Sequence, residues 1–299
     1  MPSLDALAAL AAAGELEIAA VVTQPDRPGD RRRYAASPVK ERATALGIPI
    51  VQPVSLSGDA AALLVELRPD GLVWAAYGNL IPRTLIDAVA GRALNVHASL
   101  LPRWRGAAPV AHAILAGDRE TGITLMQGTV GLDRGPVVAT ATTEIGAHET
   151  AGELTMRLAQ LGGVLLEREL TTFLAGRAAP VPQDEARATW APKLTTADGE
   201  LRLAEPAEAI ARKVRAMTPA PGAWTTYRGQ RLGVTRASVT GGPGVQHGTF
   251  EVRDGVPQVA AGAGWLRLDE VTPAGKRAMA GSDWARGLRD LGAEARLPS

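Results

Sequence analysis

Short apolar runs alternate with helical stretches through the first half of the chain, and this alternation constrains the fold more than any other feature. The apolar runs end at Pro, Gly or polar residues and predict strands at 18–23, 48–51, 71–76, 94–97 and 122–127. The stretches between them predict helices at 4–13, 38–46, 60–67, 85–90 and 107–116. Because strands that alternate with helices pair in parallel and are covered on both faces, the sequence predicts an α/β domain with a parallel sheet.

The composition changes after residue 175, beyond a long helix predicted at 151–174. Pro180, Pro182 and the polar residues that follow predict a linker at 176–195. A helix at 206–217 then precedes short strands that glycines interrupt, at 223–227, 232–239, 248–252, 258–260 and 265–271. Short strands with Gly-rich turns are typical of a small β-barrel, so we predict an α/β domain at 1–175 and a barrel domain at 196–299.

The composition excludes several kinds of site. The 299 residues include no cysteine, which excludes disulfides and a thiol nucleophile, and the four histidines lack the spacing of metal ligands. The apolar stretch at 4–13 is too short to span a bilayer and follows no basic segment, so we expect a cytoplasmic protein without a membrane partner. A net charge of +1 gives no overall argument for binding nucleic acid.

The most informative motif runs from Leu94 to Gly106. Residues two apart on a strand share a face, so Asn95 and His97 point together while Leu94 and Val96 face the core. An amide can hold a developing oxyanion and an imidazole can move protons near neutral pH, which suits acyl-group chemistry. The alternative is a pair of polar residues that merely end a strand. Their position at the start of a βα loop favours a site.

Two loops supply further candidates. The loop at 99–106 is either a connection or a ligand loop, in which backbone amides with Arg103 and Arg105 hold an anionic or amide-rich ligand. Asp133 lies between Gly131 and Gly135 and is either a turn aspartate or a carboxylate that orients His97 and accepts a proton from an amine. The spacing alone does not choose between these interpretations.

Basic residues cluster in two places. The clusters are Arg27, Arg31, Arg32, Arg33, Lys40 and Arg42, and Arg212, Lys213, Arg215, Arg228, Arg231 and Arg236. Such a run is by default a solvated face. Two clusters on two domains of a nearly neutral chain favour a partner that carries phosphates, because its counterions are released on binding.

Several segments resemble a known family. Residues 95–97, 99–109 and 131–135 are similar to motifs of the methionyl-tRNA formyltransferases, and so are 23–28, 37–40, 76–78, 191–194 and 273–276. The Asn-x-His pair with Ser-Leu-Leu-Pro at 99–102 indicates only the wider superfamily of folate-dependent formyltransferases. The run Trp-Arg-Gly-Ala-Ala-Pro at 104–109 and the C-terminal half narrow the resemblance to the enzymes that act on tRNA.

The resemblance implies a Rossmann-like formyltransferase domain followed by an OB-like barrel that binds tRNA. It implies formyl transfer from 10-formyltetrahydrofolate to the amino group of methionyl-initiator-tRNA. We expect a monomer, and the histidine spacing already argues against a metal site. By this analogy Asn95 stabilises the oxyanion, His97 assists it and moves protons, and Asp133 takes the amine proton directly or through water. A proton-transfer group of this kind typically contributes about 10²–10⁴ in rate.

The resemblance also implies binding residues. The folate is expected along Ser99, Leu100, Leu101 and Pro102, with Tyr77 and Gly78. The tRNA is expected to contact the basic residues Arg27, Arg31, Arg32, Arg33, Lys40, Arg212, Lys213 and Arg215.

The chain departs from the family in two ways. The family begins with a strand and a glycine-containing loop just before the residues that match Pro2–Leu4, so we expect that first strand to be missing. We hypothesise a misassigned start, since a GTG codon reads as Val internally and as Met at initiation; upstream DNA without code for that strand would refute it. If the start is real, two buried sheet edges lose their partner. The loop at 29–36 is shorter than in the family. This difference puts the expected tRNA contacts of the loop in question and leaves the expected chemistry unaffected.

Two other functions stay open. One is a formyltransferase that acts on a small amine, such as a sugar nucleotide or glycinamide ribotide, against which the barrel and the basic clusters argue. The other is a protein that binds tRNA or folate without catalysis. The missing strand is the reason to retain this hypothesis. A nicotinamide dehydrogenase is disfavoured, because no predicted strand is followed by G-x-G-x-x-G.

Overall fold

A computed structural model describes residues 1–28, 34–288 and 297. The α-helices are α1 (Pro2–Ala12), α2 (Pro38–Ala45), α3 (Asp59–Glu66), α4 (Arg83–Ala88), α5 (Pro109–Ala116), α6 (Ala151–Leu174), α7 (Ala207–Met217) and α8 (Gly281–Arg286). The strands up to residue 144 are β1 (Val21–Val22), β2 (Arg27–Pro28), β3 (Tyr34–Ala35), β4 (Ile50–Val51), β5 (Leu72–Ala75), β6 (Ala93–His97), β7 (Arg105–Gly106), β8 (Glu120–Gln127) and β9 (Val137–Glu144). The later strands are β10 (Trp190–Ala191), β11 (Ala223–Tyr227), β12 (Gln230–Thr240), β13 (Phe250–Arg253), β14 (Val256–Ala260), β15 (Trp265–Pro273) and β16 (Met279–Ala280).

Residues 1–109, 120–144 and 156–191 form one compact unit with a four-stranded sheet. The strand order is β5-β6-β8-β9, and β5 runs parallel to β6. β1 and β4 pair in parallel as a separate two-stranded sheet. Helices connect these parallel strands, so the predicted α/β, Rossmann-like fold class of the first domain is confirmed.

The prediction of parallel pairing is wrong for the strand at 122–127. β8 is antiparallel to β6, with Thr124 beside His97, and β9 is antiparallel to β8. An apolar run that is buried on both faces has the same pattern in either direction, so the sequence carries no information on strand polarity. β9 was not predicted from the sequence, because its alternating residues are mostly Ala and Thr, which give only a weak apolar pattern.

The two faces of β6 differ, because one faces α6 and the other carries Asn95 and His97. All five of its residues are buried. On one face Val96 approaches α6 so closely that a Cβ added to Gly162 would lie 3.0 Å from its Cγ1. Because side chains alternate along a strand, Asn95 and His97 turn to the opposite face. The close packing of α6 on Val96 therefore directs the polar pair away from that helix.

Residues 110–119, 145–155 and 192–299 form the second compact unit. Its antiparallel sheet has the order β11-β12-β15-β14-β13, and β16 pairs with β15. α7 buries Ile210 and Val214 in a core that includes Val234, Leu266 and Leu268. The described strands pair in a linear order as an antiparallel sheet, so where the sequence predicted a small OB-like barrel no closure is observed among these strands. Closure depends on pairing between the first and last strands, which no local pattern specifies.

Within the described part of the chain, no helix combines the length and the apolar character that crossing a membrane requires.

Candidate active site

β6 carries two polar side chains into the interior. Asn95 and His97 are each 6% exposed and lie two residues apart on the strand. Burial removes them from water, so their polar atoms need partners within the protein.

The loop between β8 and β9 supplies that partner. Asp133 Oδ1 accepts a hydrogen bond from Asn95 Nδ2 at 3.3 Å and lies 3.7 Å from His97 Nδ1. Its other oxygen, Oδ2, accepts from the Gly106 N–H at 2.9 Å. An amide, an imidazole and a carboxylate from distant parts of the chain therefore meet in one buried cluster.

Glycine lets this loop fold back onto β8. A Cβ added to Gly135 would lie 1.7 Å from the Gln127 carbonyl oxygen, so no side chain fits there. Asp133 itself has φ +53°, the left-handed conformation that Asp tolerates better than most residues. The fold-back and this backbone turn carry the carboxylate to Asn95.

The tautomer of His97 follows from its partners. The ring Nε2 lies 3.0 Å from the Trp104 carbonyl oxygen, which can only accept, so Nε2 carries the proton. Nδ1 is then unprotonated in the neutral ring and faces Asp133 Oδ1. A proton gained at Nδ1 would point at a carboxylate, so the pair can hold or pass one proton.

The loop after β6 is held by its own hydrogen bonds. The fully buried Ser99 donates its hydroxyl to the Arg103 carbonyl at 2.6 Å. Thr124 Oγ1 donates to the Ser99 carbonyl at 2.7 Å and accepts from the Leu101 N–H at 3.0 Å. These contacts fix the shape of the loop that carries Trp104 and Gly106.

The residues predicted to bind folate lie in two segments. Ser99, Leu100, Leu101 and Pro102 follow the buried strand directly, and the Ser99 hydroxyl is engaged within the loop. Tyr77 packs beside the cluster around Leu64 and Leu85, and burial raises the pKa of its hydroxyl. The neighbouring Gly78 has φ +80°, with the Gln24 side chain bonded to the Tyr77 carbonyl at 2.9 Å. A folate contact at any of these residues stays a prediction.

The first basic cluster is only partly visible. Arg31, Arg32 and Arg33 lie outside the described residues, and so does the side chain of Arg27. Lys40 Nζ forms an ion pair with Asp26 at 2.6 Å and thereby lowers the pKa of that carboxyl. Lys40 is therefore already paired before any phosphate arrives.

In the second basic cluster, some side chains bond to the protein itself and others are exposed to solvent. Lys213 Nζ donates to the Glu200 carbonyl at 2.8 Å, and Arg215 donates to the Glu149 carbonyl at 3.2 Å. Partial burial lowers the pKa of Arg215, and Arg212 lies against Gly117. Arg231, by contrast, is exposed and stacks over Trp224, with its guanidinium carbon 4.7 Å from the ring centroid.

Arg105 makes internal contacts that its sequence pattern does not predict. Its side chain is fully buried and bonded to Glu185 and Gln183, so it does not reach a ligand as one interpretation of the loop expected. Both partners lie within the predicted linker. No local pattern marks them, because an isolated Gln or Glu between prolines is typical of any polar connection.

The family relationships agree with this fold and cluster. The formyl transferase family matches residues 4–170, and the family of formyl transferase C-terminal domains matches residues 193–289. The chain therefore belongs to the formyl transferase family.

Full-length relatives narrow the class. The methionyl-tRNA formyltransferase of Acidithiobacillus ferrooxidans is 46% identical over 281 residues, which cover 92% of this chain and 90% of the relative. That of an Arthrobacter species is 42% identical over 289 residues, covering 96% and 93%. Within the formyl transferase family, the chain groups with the methionyl-tRNA formyltransferases.

A solved structure shares the fold at lower identity. It is an N-formyltransferase from Helicobacter canadensis, in complex with folinic acid and dTDP-3-aminofucose, with a TM-score of 0.66 and 14% identity. The match covers 89% of this chain and 95% of that one. At this identity the likeness concerns the fold alone.

Proposed function

We propose that the chain transfers a formyl group from 10-formyltetrahydrofolate to the amino group of methionyl-initiator-tRNA. The observation that carries this proposal is the buried meeting of Asn95, His97 and Asp133, with the distances given above. The resemblance to methionyl-tRNA formyltransferases over more than nine-tenths of the chain supports the choice of substrates.

The donor set fits a formyl group. An amide nitrogen carries two hydrogens, and Asn95 gives one of them to Asp133, which leaves the second for the formyl oxygen. The residues proposed to hold the folate are Ser99, Leu100, Leu101 and Pro102, with Tyr77 and Gly78. When bound, 10-formyltetrahydrofolate supplies an electrophilic formyl carbon on a nitrogen that can leave.

Asn95, Asp133 and His97 have different roles in the proposed reaction. Asn95 Nδ2 donates to the formyl oxygen as negative charge grows on it, which stabilises the transition state. Asp133 accepts the proton that the methionyl amine loses as its nitrogen bonds to the formyl carbon, directly or through water. His97 shares that proton through Nδ1, and the Asp133–His97 pair then delivers one proton to the nitrogen from which the formyl group is transferred. No net proton is gained or lost by the enzyme.

The tRNA is proposed to contact basic residues of both units, including Lys40, Arg212, Lys213 and Arg215. The exposed Arg231 over Trp224 adds a cation next to an aromatic surface, a combination suited to phosphate and base contacts. A small-amine substrate is the weaker alternative, because it has no use for such residues.

A formylation assay tests the proposal. The purified chain should convert methionyl-tRNA to its formyl derivative when 10-formyltetrahydrofolate is supplied. His97→Ala and Asp133→Asn should each lower the rate by about 10²–10⁴, because each removes a proton-transfer group. Activity that weakens steeply with added salt supports tRNA as substrate, and salt-independent turnover of an amino sugar would contradict it. A chain that binds tRNA or folate without turnover would refute the enzymatic proposal.

We further propose that the enzyme acts as a monomer in the cytoplasm. The three groups of the cluster come from a single chain, and translation supplies its tRNA substrate there. A mass measurement in solution that gives a dimer would contradict the first part.

A further inference from the structure

Residues 181–191, called here the brace segment, are hydrogen-bonded at both ends to other segments of the first unit. Val181 exchanges two backbone hydrogen bonds of 2.8 Å with Val137 at the start of β9. At the other end β10 pairs in parallel with β7, which places Trp190 beside Arg105 and Ala191 beside Gly106. The brace segment thus connects the two loops that carry Asp133 and Gly106.

Gln183 is the third residue of this segment and is half-buried, whereas its neighbours from 181 to 187 are exposed. Its Nε2 donates to the Asp133 carbonyl at 2.9 Å and to the Gly135 carbonyl at 2.7 Å. Its Oε1 accepts from Arg105 Nε at 3.1 Å and from Nη2 at 2.7 Å. Both ends of the amide are therefore used.

Arg105 fixes the orientation of that amide. The guanidinium is fully buried, and Glu185 binds it with two hydrogen bonds of 2.9 and 2.8 Å. The same contact lowers the pKa of Glu185, so the carboxylate stays charged and balances the buried cation. Because Arg105 only donates, Gln183 must turn its oxygen toward Arg105 and its NH₂ group toward the two carbonyls.

These contacts close a ring. Asp133 binds Gly106 through its carboxylate and Gln183 through its carbonyl, and Gln183 binds Arg105, the residue before Gly106. We infer that Gln183 is a positioning residue, which holds the Asp133 carboxylate against Asn95 and His97 by fixing the backbone of its loop. Its catalytic consequence rests on the proposed function; its structural consequence does not.

Gln183→Glu is the decisive variant. A glutamate still accepts from Arg105, but it cannot donate, and its second oxygen faces two carbonyl oxygens. We expect kcat to fall by about 10- to 100-fold because Asp133 is displaced. The KM for each substrate should stay within about twofold, since displacing Asp133 removes transition-state binding and spares ground-state binding.

Gln183→Met has nearly the same shape and neither donates nor accepts. It should lower kcat as much as Gln183→Glu does, and it should also lower Tm because Arg105 loses a partner. Gln160, which is exposed on α6, provides matched controls: Gln160→Glu and Gln160→Met should leave kcat unchanged. Wild-type kcat in Gln183→Glu would overturn the inference.

A double-mutant cycle separates positioning from a general loss of stability. In an Asp133→Asn background the misplaced group has already lost its function, so Gln183→Glu should change kcat by less than about threefold. A full further loss in that background would overturn the inference.

Hydrogen exchange tests the inference without activity. The Gly106 N–H is bound to Asp133, so the peptide that contains it should exchange faster in Gln183→Glu than in Gln160→Glu. Equal exchange in the two variants would overturn the inference. An inactive wild type would contradict only the proposed function, and the exchange result would still decide the role of Gln183.

Discussion

Beside Asp133, the backbone at Gly106 passes very close to the backbone at Ala191. Gly106 has φ +121°, and a Cβ added to it would lie 2.7 Å from the Ala191 carbonyl oxygen. Its N–H donates to Asp133 Oδ2 at 2.9 Å. We therefore predict that Gly106→Ala lowers kcat through Asp133 while the chain still folds.

The size of the effect follows from these distances. The distance from the added Cβ to the Ala191 carbonyl oxygen must lengthen by about 0.7 Å or more to reach ordinary van der Waals separation. Ala191 is fully buried, so most of the shift falls on the loop of residue 106 and stretches the hydrogen bond to Asp133 toward its limit. Since a 1 Å misplacement costs about 10²-fold, we expect a loss of about tenfold in kcat. Overpacking should lower the free energy of unfolding by about 1–3 kcal/mol.

The assay is the initial rate of formylation with both substrates saturating, together with Tm. The control is Gly14→Ala, because Gly14 also has a positive φ of +76° but a Cβ there would meet nothing within 4 Å. Gly14→Ala should lose stability through backbone strain and keep its kcat. If Gly106→Ala lost stability but kept the wild-type kcat, the Gly106 N–H would have no part in placing Asp133.

Two further predictions concern the second unit. Glu153 accepts hydrogen bonds from the backbone and the hydroxyl of Thr150, which lower its pKa from the ordinary 4.5 to about 2, together with an ion pair to Arg236. Glu153→Ala should lower the free energy of unfolding by about 1 kcal/mol near pH 7, because a capping box is lost and the half-exposed charge is screened by solvent. Its folded pKa is depressed, so this difference should be full above pH 4.5 and disappear as the pH falls toward 2. Arg231→Ala should raise the KM for tRNA and reduce the slope of log KM against log salt by about 0.9, with kcat unchanged.

Each of these two variants has a control. Glu167→Ala, at an exposed position of α6, should leave the pH dependence of unfolding unchanged. Arg168→Ala removes an exposed cation that pairs with Glu169 and should leave the salt slope unchanged. A stability difference that persisted at pH 2 would contradict the account of Glu153, and an unaltered slope would contradict the account of Arg231.

Much of the fold and part of the site are predictable from local patterns. The apolar runs predict β5, β6 and β8, and the period of two along β6 already places Asn95 and His97 on one face. β9 and the direction of β8 are not predictable this way. Weak Ala and Thr alternation hides the strand, and a doubly buried run fits either polarity.

The role of Asp133 is harder still to predict from local sequence patterns. Thirty-eight residues separate it from Asn95, so its pattern is equally typical of a turn. Only the hairpin of β8 and β9, with a glycine where Gln127 excludes any side chain, brings the carboxylate to the amide.

The sequence by itself determined which residue types were available and which of them share a strand face, because those properties depend on near neighbours. Tertiary structure alone decided that Asp133 reaches His97, that Arg105 is buried, and that Gln183 binds both loops. Those contacts join residues far apart in the chain, and their formation depends on strand direction and loop closure, which no short stretch encodes.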